Sequence, residues 1–357
     1  MATKQIQTYP LTGPDSTQTV KIALDILKPH LPVSLPIYRR LQFGRFFEAT
    51  VLVTNLPLRP PGRDDVVSTD QPNAHKDEPY FIAFVDRSCR PETEVWFFGS
   101  WETQAISSTH EKHIDSILTA FVHSLKSLSM PTSIHQDVLN AEIEKLKQDA
   151  QKDSAGISRS DYGGHMLDPD IMLWGAVHER TFPILEQLGY LSKKAHMAGA
   201  VPNHTFVWDV DKDLKGVQEL EPLPQGLEWS ELKAEHFPLV RSRTQIPRQD
   251  RTLAVLPNLG IFDTNTQQPV SWAFVGLDSS LTSLHVEPEW RGKGLAKAIT
   301  TKLFREKMAL FWEDEMKRLA YGYVIVGNRA SEGMCRSLGG KSEWEVYWLR
   351  VDLGTVS

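Results

Sequence analysis

Two cysteines in 357 residues, Cys89 and Cys335, leave this chain without the means for a disulfide framework. Cysteine that scarce points to a fold held by its core, in a reducing compartment. No uninterrupted apolar stretch approaches the ~18 residues needed to cross a bilayer. The N-terminal Met1-Ala2-Thr3-Lys4 lacks the basic-then-apolar order of a secretion signal. An excess of positive charge is missing as well. Thirty-nine lysines and arginines stand against 45 acidic residues, a formal charge of −6, which argues against a main job of holding nucleic acid. Neither a Gly-x-Gly-x-x-Gly fingerprint nor a P-loop lysine occurs, so dinucleotide and nucleoside-triphosphate readings are weak. His110, Glu111 and His113 sit at helical spacing, but no third ligand accompanies them, so no metal site is expected. The expectation is a cytoplasmic protein with neither membrane nor nucleic acid as partner.

What is present suits a two-domain protein. The chain is too long for one ordinary small domain, and 41% hydrophobic residues suffice for a packed core. Residues 1–150 read as an α+β domain. Strands are expected near Phe47–Val53, Tyr80–Val85 and Glu94–Gly99, with a polar Pro/Asp-rich loop from Leu58 to Pro79. The spacing of Ile114, Ile117, Leu118, Phe121 and Leu125 predicts a helix after them. Residues 151–204 read as linker and helices, with a polar stretch from Gln148 to Gly164 and a helical pattern resuming near Ile171. Residues 205–357 form the second domain. Its predicted strands are Thr205–Val210, Leu259–Phe262, Val270–Val275, Leu281–Val286, Tyr321–Val326 and Trp344–Val351. Helices are expected at Glu231–Arg243, interrupted at Pro238, at Gly294 to about Arg318, and at Ala330–Leu338.

One turn stands out. Arg291-Gly292-Lys293-Gly294 lies between a strand ending at Val286 and a helix with the apolar stripe Leu295, Ile299, Leu303. Strand, glycine-rich turn and helix aim free backbone N–H groups and a positive dipole end at an anion. Glycine allows close approach of phosphates that a Cβ would block. Arg291, Lys293 and Lys297 add positive charge at the helix end where cations have no favourable dipole partner, which suggests that they serve a ligand.

The segment Leu284-His285-Val286-Glu287-Pro288-Glu289-Trp290-Arg291-Gly292-Lys293-Gly294-Leu295-Ala296 resembles the acetyl-CoA-binding motif of the GNAT acyltransferase superfamily. Asn328-Arg329-Ala330-Ser331, followed by Leu338-Gly339-Gly340, resembles that superfamily's second motif. More narrowly, Leu223-Pro224-Gln225-Gly226-Leu227, His236 and Pro269-Val270-Ser271-Trp272 are similar to the glycine N-acyltransferase branch. In that branch the N-terminal half is itself a degenerate GNAT-like domain. The resemblance implies an α/β (α+β) fold: a C-terminal GNAT domain with a mixed, mostly antiparallel sheet flanked by helices, after an N-terminal GNAT-like domain.

For the residues it implies particular roles. The main chain of Leu284, His285 and Val286 would bond the pantetheine arm. Arg291, Gly292, Lys293, Gly294, Leu295, Ala296 and Lys297 would hold the pyrophosphate, and Asn328 would meet the cofactor arm. An amine acceptor would attack the thioester of acetyl-CoA, or of another acyl-CoA, directly. Where related enzymes place a glutamate base, eight residues before Pro288, this chain has Ser280; where many place a tyrosine acid, seven residues after Asn328, it has Cys335. His285 has a suitable intrinsic pKa for the base, and Asp278 is a further candidate. Alternation would set His285 opposite Ser280, Thr282 and Leu284 unless a bulge switches faces. The expected function is an N-acyltransferase, acetyl by preference, acting on a small amine or amino acid. The alternatives are a protein N-terminal or lysine acetyltransferase, and a non-catalytic acyl-CoA-binding module that has lost its base.

Overall fold

The computed structural model describes residues 5–47, 49–58, 78–104, 106–128, 130–131, 144, 156–194, 199–214, 223–314 and 316–355. Most of the expected Leu58–Pro79 loop, and residues 148–155 of the expected linker, lie outside them. The chain forms two compact units that do not follow contiguous boundaries at 150 and 205. The first comprises residues 1–145, 164–200 and 347–357; the second comprises 146–163 and 201–346. The segment 151–204 is thus divided between the units instead of separating them.

In the first unit, strands β1 (Gln7–Pro10), β2 (Val51–Thr54), β3 (Phe81–Val85) and β4 (Val95–Gly99) pair antiparallel in order. β5 (Ile171–His178) then pairs parallel with β4, but only at Val95↔Trp174 and Trp96↔Gly175. Helices α1 (Ser16–Leu27), α2 (Leu35–Gln42) and α3 (Ser108–Lys126) accompany the sheet, and α4 (Phe182–Gln187) follows β5. Ile114, Ile117, Leu118, Phe121 and Leu125 of α3 are all buried against Phe81, Phe97 and Trp174, as their spacing predicted. The helical pattern expected to resume near Ile171 is a strand. All eight residues of β5 are buried, and a continuous apolar run buried on both faces gives no strand alternation to read.

The second unit orders its strands as β6 (Pro202–Asp209), β11 (Leu319–Ile325), β10 (Ser280–Val286), β9 (Pro269–Val275), β8 (Asn258–Asp263) and β7 (Leu227–Ser230). The closing strand β12 (Lys341–Asp352) contributes its residues up to Val346 to this unit and the rest to the first. Neighbours pair antiparallel except β10 and β11, which run parallel. Helix α5 (Phe237–Ser242) carries Pro238 in its first turn, where the missing N–H costs no bond. Pro238 therefore starts the helix instead of interrupting a longer one. Helix α6 (Leu295–Glu306) packs on β8, β9 and β10 and ends well short of Arg318. Its Leu295, Ile299 and Leu303 are buried, each contributing about 1.5–3 kcal/mol. Helix α7 (Arg329–Ser337) is capped by the Asn328 side chain, which accepts from the Ser331 N–H at 3.2 Å.

Candidate functional site

β10 is central in its sheet, yet its residues from Leu281 to Val286 are only half-buried. The cause is its parallel neighbour. β10 and β11 are paired at Ser280↔Tyr321 and Leu281↔Gly322 and nowhere beyond. β11 continues to Ile325 on β6, so the two strands separate into a wedge with Leu281 and Gly322 at its closed end. β10 past Leu281 borders that wedge; within it the His285 carbonyl accepts from the Ser271 hydroxyl and the Val286 carbonyl from Arg291 Nε.

On its other edge β10 contains a bulge. Thr282 pairs with Phe274 and His285 pairs with Trp272, so three steps along β10 oppose two along β9. Ser283 takes the extra residue at φ 51°, an uncommon region for a residue with a Cβ. Phe274 and Trp272 share a face, so Thr282 and His285 share one too, and Ser280 joins them by alternation. The bulge undoes the opposition that unbroken alternation predicts.

His285 lies against Trp272, with ring centroids 4.7 Å apart. Burial lowers its pKa below the ordinary histidine value, while Glu287, whose Oε2 is 3.5 Å from Nε2, acts in the opposite sense. The net direction favours the neutral ring at pH 7, and at 3.5 Å the Glu287 carboxylate is the nearest partner of Nε2 among the described residues, too long for a well-formed hydrogen bond. Ser280 donates its Oγ–H to Asp278 Oδ1 at 2.8 Å, and its N–H reaches the same oxygen at 3.2 Å. Asp278 is buried, and burial raises its carboxyl pKa. The Tyr323 hydroxyl is 3.4 Å from its Oδ2, and the Tyr321 hydroxyl donates to its carbonyl. Tyr323 stands one residue past the closed end of the wedge, a position that only the strand pairing discloses. Its signal in the sequence is the alternation Tyr321-Gly322-Tyr323.

Cys335 is 2% exposed, and burial pushes its thiol up to about 12. Such a thiol is a poor proton source for a departing thiolate of ordinary pKa near 8.5. Its surroundings are those of a packing residue. His236 accepts the Lys233 N–H at Nδ1, a local structural bond, and its ring meets Phe262 edge-on.

Past the wedge the chain turns through residues 291–294. Gly292 and Gly294 hold φ of 75° and 82°, the left-handed region, and a Cβ at either would meet nothing within 4 Å. The glycines thus serve the turn's conformation as well as the open space beside it. Among the described residues, the N–H groups of Gly292 to Lys297 have no backbone acceptor. The first helical bond runs from Ala298 N–H to the Gly294 carbonyl at 3.1 Å. The first turn of α6 holds no acidic residue. Arg291, Lys293 and Lys297 have no carboxylate partner among the described residues; the Arg291 Nε donates to the Val286 carbonyl at 3.0 Å, and Lys293 Nζ sits 4.3 Å from the Trp290 ring centroid. Six free N–H groups and three uncompensated cations around an open turn fit a diphosphate, the group that coenzyme A would place there. The Asn328 side-chain oxygen is engaged in the cap of α7.

Residues 6–206 match the family model described as acyl-CoA N-acyltransferase verG N-terminal domain, and residues 258–349 match that of FR47-like protein. No curated protein matches the chain. A solved Drosophila protein is similar in fold at 13% identity, with a TM-score of 0.58 over 98% of both chains. A tandem GNAT protein from the clavulanic acid biosynthesis pathway, solved without AcCoA, aligns at 11% identity and a TM-score of 0.49 over 99% of this chain and 100% of that one. With its family model spanning more than half of the sequence, the chain belongs to the acyl-CoA N-acyltransferase verG N-terminal domain family, as a GNAT-superfamily protein with two GNAT domains in tandem.

Proposed function

We propose that this protein is an N-acyltransferase whose second unit binds acyl-CoA, acetyl-CoA first among them, and passes the acyl group to a primary amine. The observation that carries this reading is continuous: the β10–β11 wedge leads straight into the free N–H groups of 292–297. The wedge offers the edge of β10 past Leu281, with the Leu284 main chain in it, to an extended amide-bearing arm, although the carbonyls of His285 and Val286 already accept from Ser271 and Arg291; the turn offers donors and charge to a diphosphate. Similarity of Leu223–Leu227, His236 and Pro269–Trp272 to the glycine N-acyltransferase branch supports a small amine or amino acid as acceptor, and a protein amine is the alternative within the same chemistry.

The thioester supplies an activated acyl carbon, so the protein needs position, donors and one proton acceptor. The amine nitrogen attacks that carbon, the C–S bond breaks, and the amine proton must leave. His285 is the proposed base, because burial favours its neutral form and Nε2 has only the long 3.5 Å contact to Glu287 to give up. Asp278, with Tyr323 at the end of the wedge, is the second group suited to hold that proton. Ser280 orients Asp278 in this scheme and is no base itself, since its proton is committed to Oδ1. Cys335 is assigned to packing.

Calorimetry of acetyl-CoA binding tests the reading. Gly292→Glu with Gly294→Glu is expected to abolish binding, but those changes also strain left-handed residues. Lys293→Glu with Lys297→Glu leaves the backbone conformation allowed and should weaken binding strongly on charge alone. A folded wild-type protein that binds neither acetyl-CoA nor longer acyl-CoAs rules the transferase out.

A further inference from the structure

The segment that follows α5, residues 243–249, reaches the bulged face of β10 through Arg248. That segment is fixed at its root. Arg159 Nη2 donates to the carbonyls of Arg241 and Thr244, at 2.7 and 2.6 Å, closing off the end of α5. Of the cations at 241, 243 and 248, two are paired with carboxylates. Arg241 pairs with Asp250, and Arg243 Nε lies 3.0 Å from Glu287 Oε1. Arg248 donates from Nη2 to the Thr282 hydroxyl at 2.8 Å and has no carboxylate partner among the described residues. It is half-buried, so a guanidinium with most of its donors unused is held partly out of water on a protein face.

Its position is informative. Thr282 shares the face of His285 and Ser280, and it follows Leu281, the last residue of β10 paired with β11. Arg248 therefore stands at the closed end of the wedge, where the reacting atoms meet if the transferase reading is right. It does not stand at the diphosphate turn. From Thr282 to Val286 the strand advances roughly 13 Å at ~3.3 Å per residue, and the turn lies beyond that. Arginine's planar fork matches a carboxylate with two parallel bonds.

We propose that Arg248 binds a carboxylate carried by one of the two reactants close to the bond being formed. This assignment rests on the transferase reading. Two sources share the chemistry: an amine acceptor that is an amino acid, or a dicarboxylic acyl group on coenzyme A. Thr282 orients the guanidinium, and Glu287, already engaged by Arg243 and beside His285, does not compete for it.

The test is release of free thiol by wild type, Arg248→Met and Arg248→Lys, with the fold checked by thermal melting. Four reactant pairs are used: acetyl-CoA or succinyl-CoA, each with amino acids or with the corresponding amino-acid amides. Wild type is expected to prefer one carboxylate-bearing reactant over its neutral counterpart, in kcat/KM, by roughly ten- to a hundredfold, as for a hydrogen-bonded charge. Arg248→Met should bring that ratio close to one, and Arg248→Lys should restore part of it. Preference among acceptors assigns the carboxylate to the amine, and preference among donors assigns it to the acyl group. A wild-type ratio near one, or a ratio unchanged in Arg248→Met, overturns the assignment while leaving the transferase intact. No thiol from any pair, with acetyl-CoA still bound in calorimetry, overturns the transferase reading and this assignment together.

Discussion

The imidazole of His285 lies on the indole of Trp272, 4.7 Å between ring centroids and 25° between planes. That contact exists because one extra residue in β10 turns His285 onto the face of Thr282 and Ser280. Trp272 is 1% exposed and immobile in the core, so it fixes the ring plane and screens one side of it from water. The main-chain carbonyl of His285 is also held, by the Ser271 hydroxyl at 2.9 Å. The His285 Nε2 faces the Glu287 carboxylate at 3.5 Å, and several measurements test the proposed role of this ring as a base.

The first concerns pH. Burial lowers the His285 pKa, so activity that needs the neutral ring should survive below the ordinary histidine value of 6.5 and fall only at more acid pH. His285→Gln is expected to lower kcat by about 10²- to 10⁴-fold, the usual range for a general base, and to remove the acid limb of the pH–rate profile. A limb that persists at the same pH in the variant transfers the role to another group. Asp278→Asn and Tyr323→Phe then become the decisive variants.

The second concerns the bulge. Ser283 holds φ 51°, where a Cβ is strained and glycine is not. Ser283→Gly should leave the fold intact and raise stability by about 0.5–1 kcal/mol. Ser283→Val should destabilise by more than that and reduce activity, since a β-branched residue resists the left-handed region. Equal melting temperatures for the two variants would show that the strand does not depend on this conformation.

Cys335 gives a third prediction. With its thiol at about 12 and nearly no exposure, it should resist alkylation by iodoacetamide at pH 8 in the folded protein and react on unfolding. Cys335→Ala should cost about 1 kcal/mol of stability and leave kcat within about twofold, since a packing residue gives the transition state nothing. A large loss of kcat at normal stability returns Cys335 to the reaction.

The first unit carries its own titration. Glu102 is buried, accepts from the Thr181 hydroxyl at 2.5 Å, and has its carboxyl raised to about 8, chiefly by burial. An acid raised above its unfolded value binds its proton more tightly when folded. Its unfavourable contribution is therefore absent below pH 4.5, grows as pH rises toward 8, and is complete above that. Glu102→Gln should melt higher than wild type at pH 9, by a stability difference on the order of a few kcal/mol, with the gain vanishing near pH 4. A constant difference across that range would mean that Glu102 does not change its ionisation on unfolding.

Glu102 also illustrates how far the two units have diverged. In the first unit, too, a parallel pair joins at only two positions, but Trp101 folds back over Gly99 and bonds Thr181 with its Nε1 at 3.0 Å. Thr181 in turn donates to Glu102. These side chains bridge the chain just past the ends of β4 and β5, and no Gly-x-Gly turn leads into α3. The aromatic side chains Trp96, Phe97, Phe98 and Trp101 are buried in the core of this unit.

The sequence alone determined what is local. Apolar spacing specified α3, α6 and most strands of the second unit, because a half-buried element writes its period into its residues. The turn at 291–294 was legible because glycine and cations next to a helix start have few other uses. Tertiary structure decided the rest. β5 reads as helix or strand until its neighbours bury both its faces. The units interleave in sequence because strand pairing joins segments that are far apart in the chain. The face of His285, the place of Tyr323 and the contact of Arg248 with Thr282 depend on one bulge and on where two parallel strands part. Both follow from pairing between strands, which no single segment encodes.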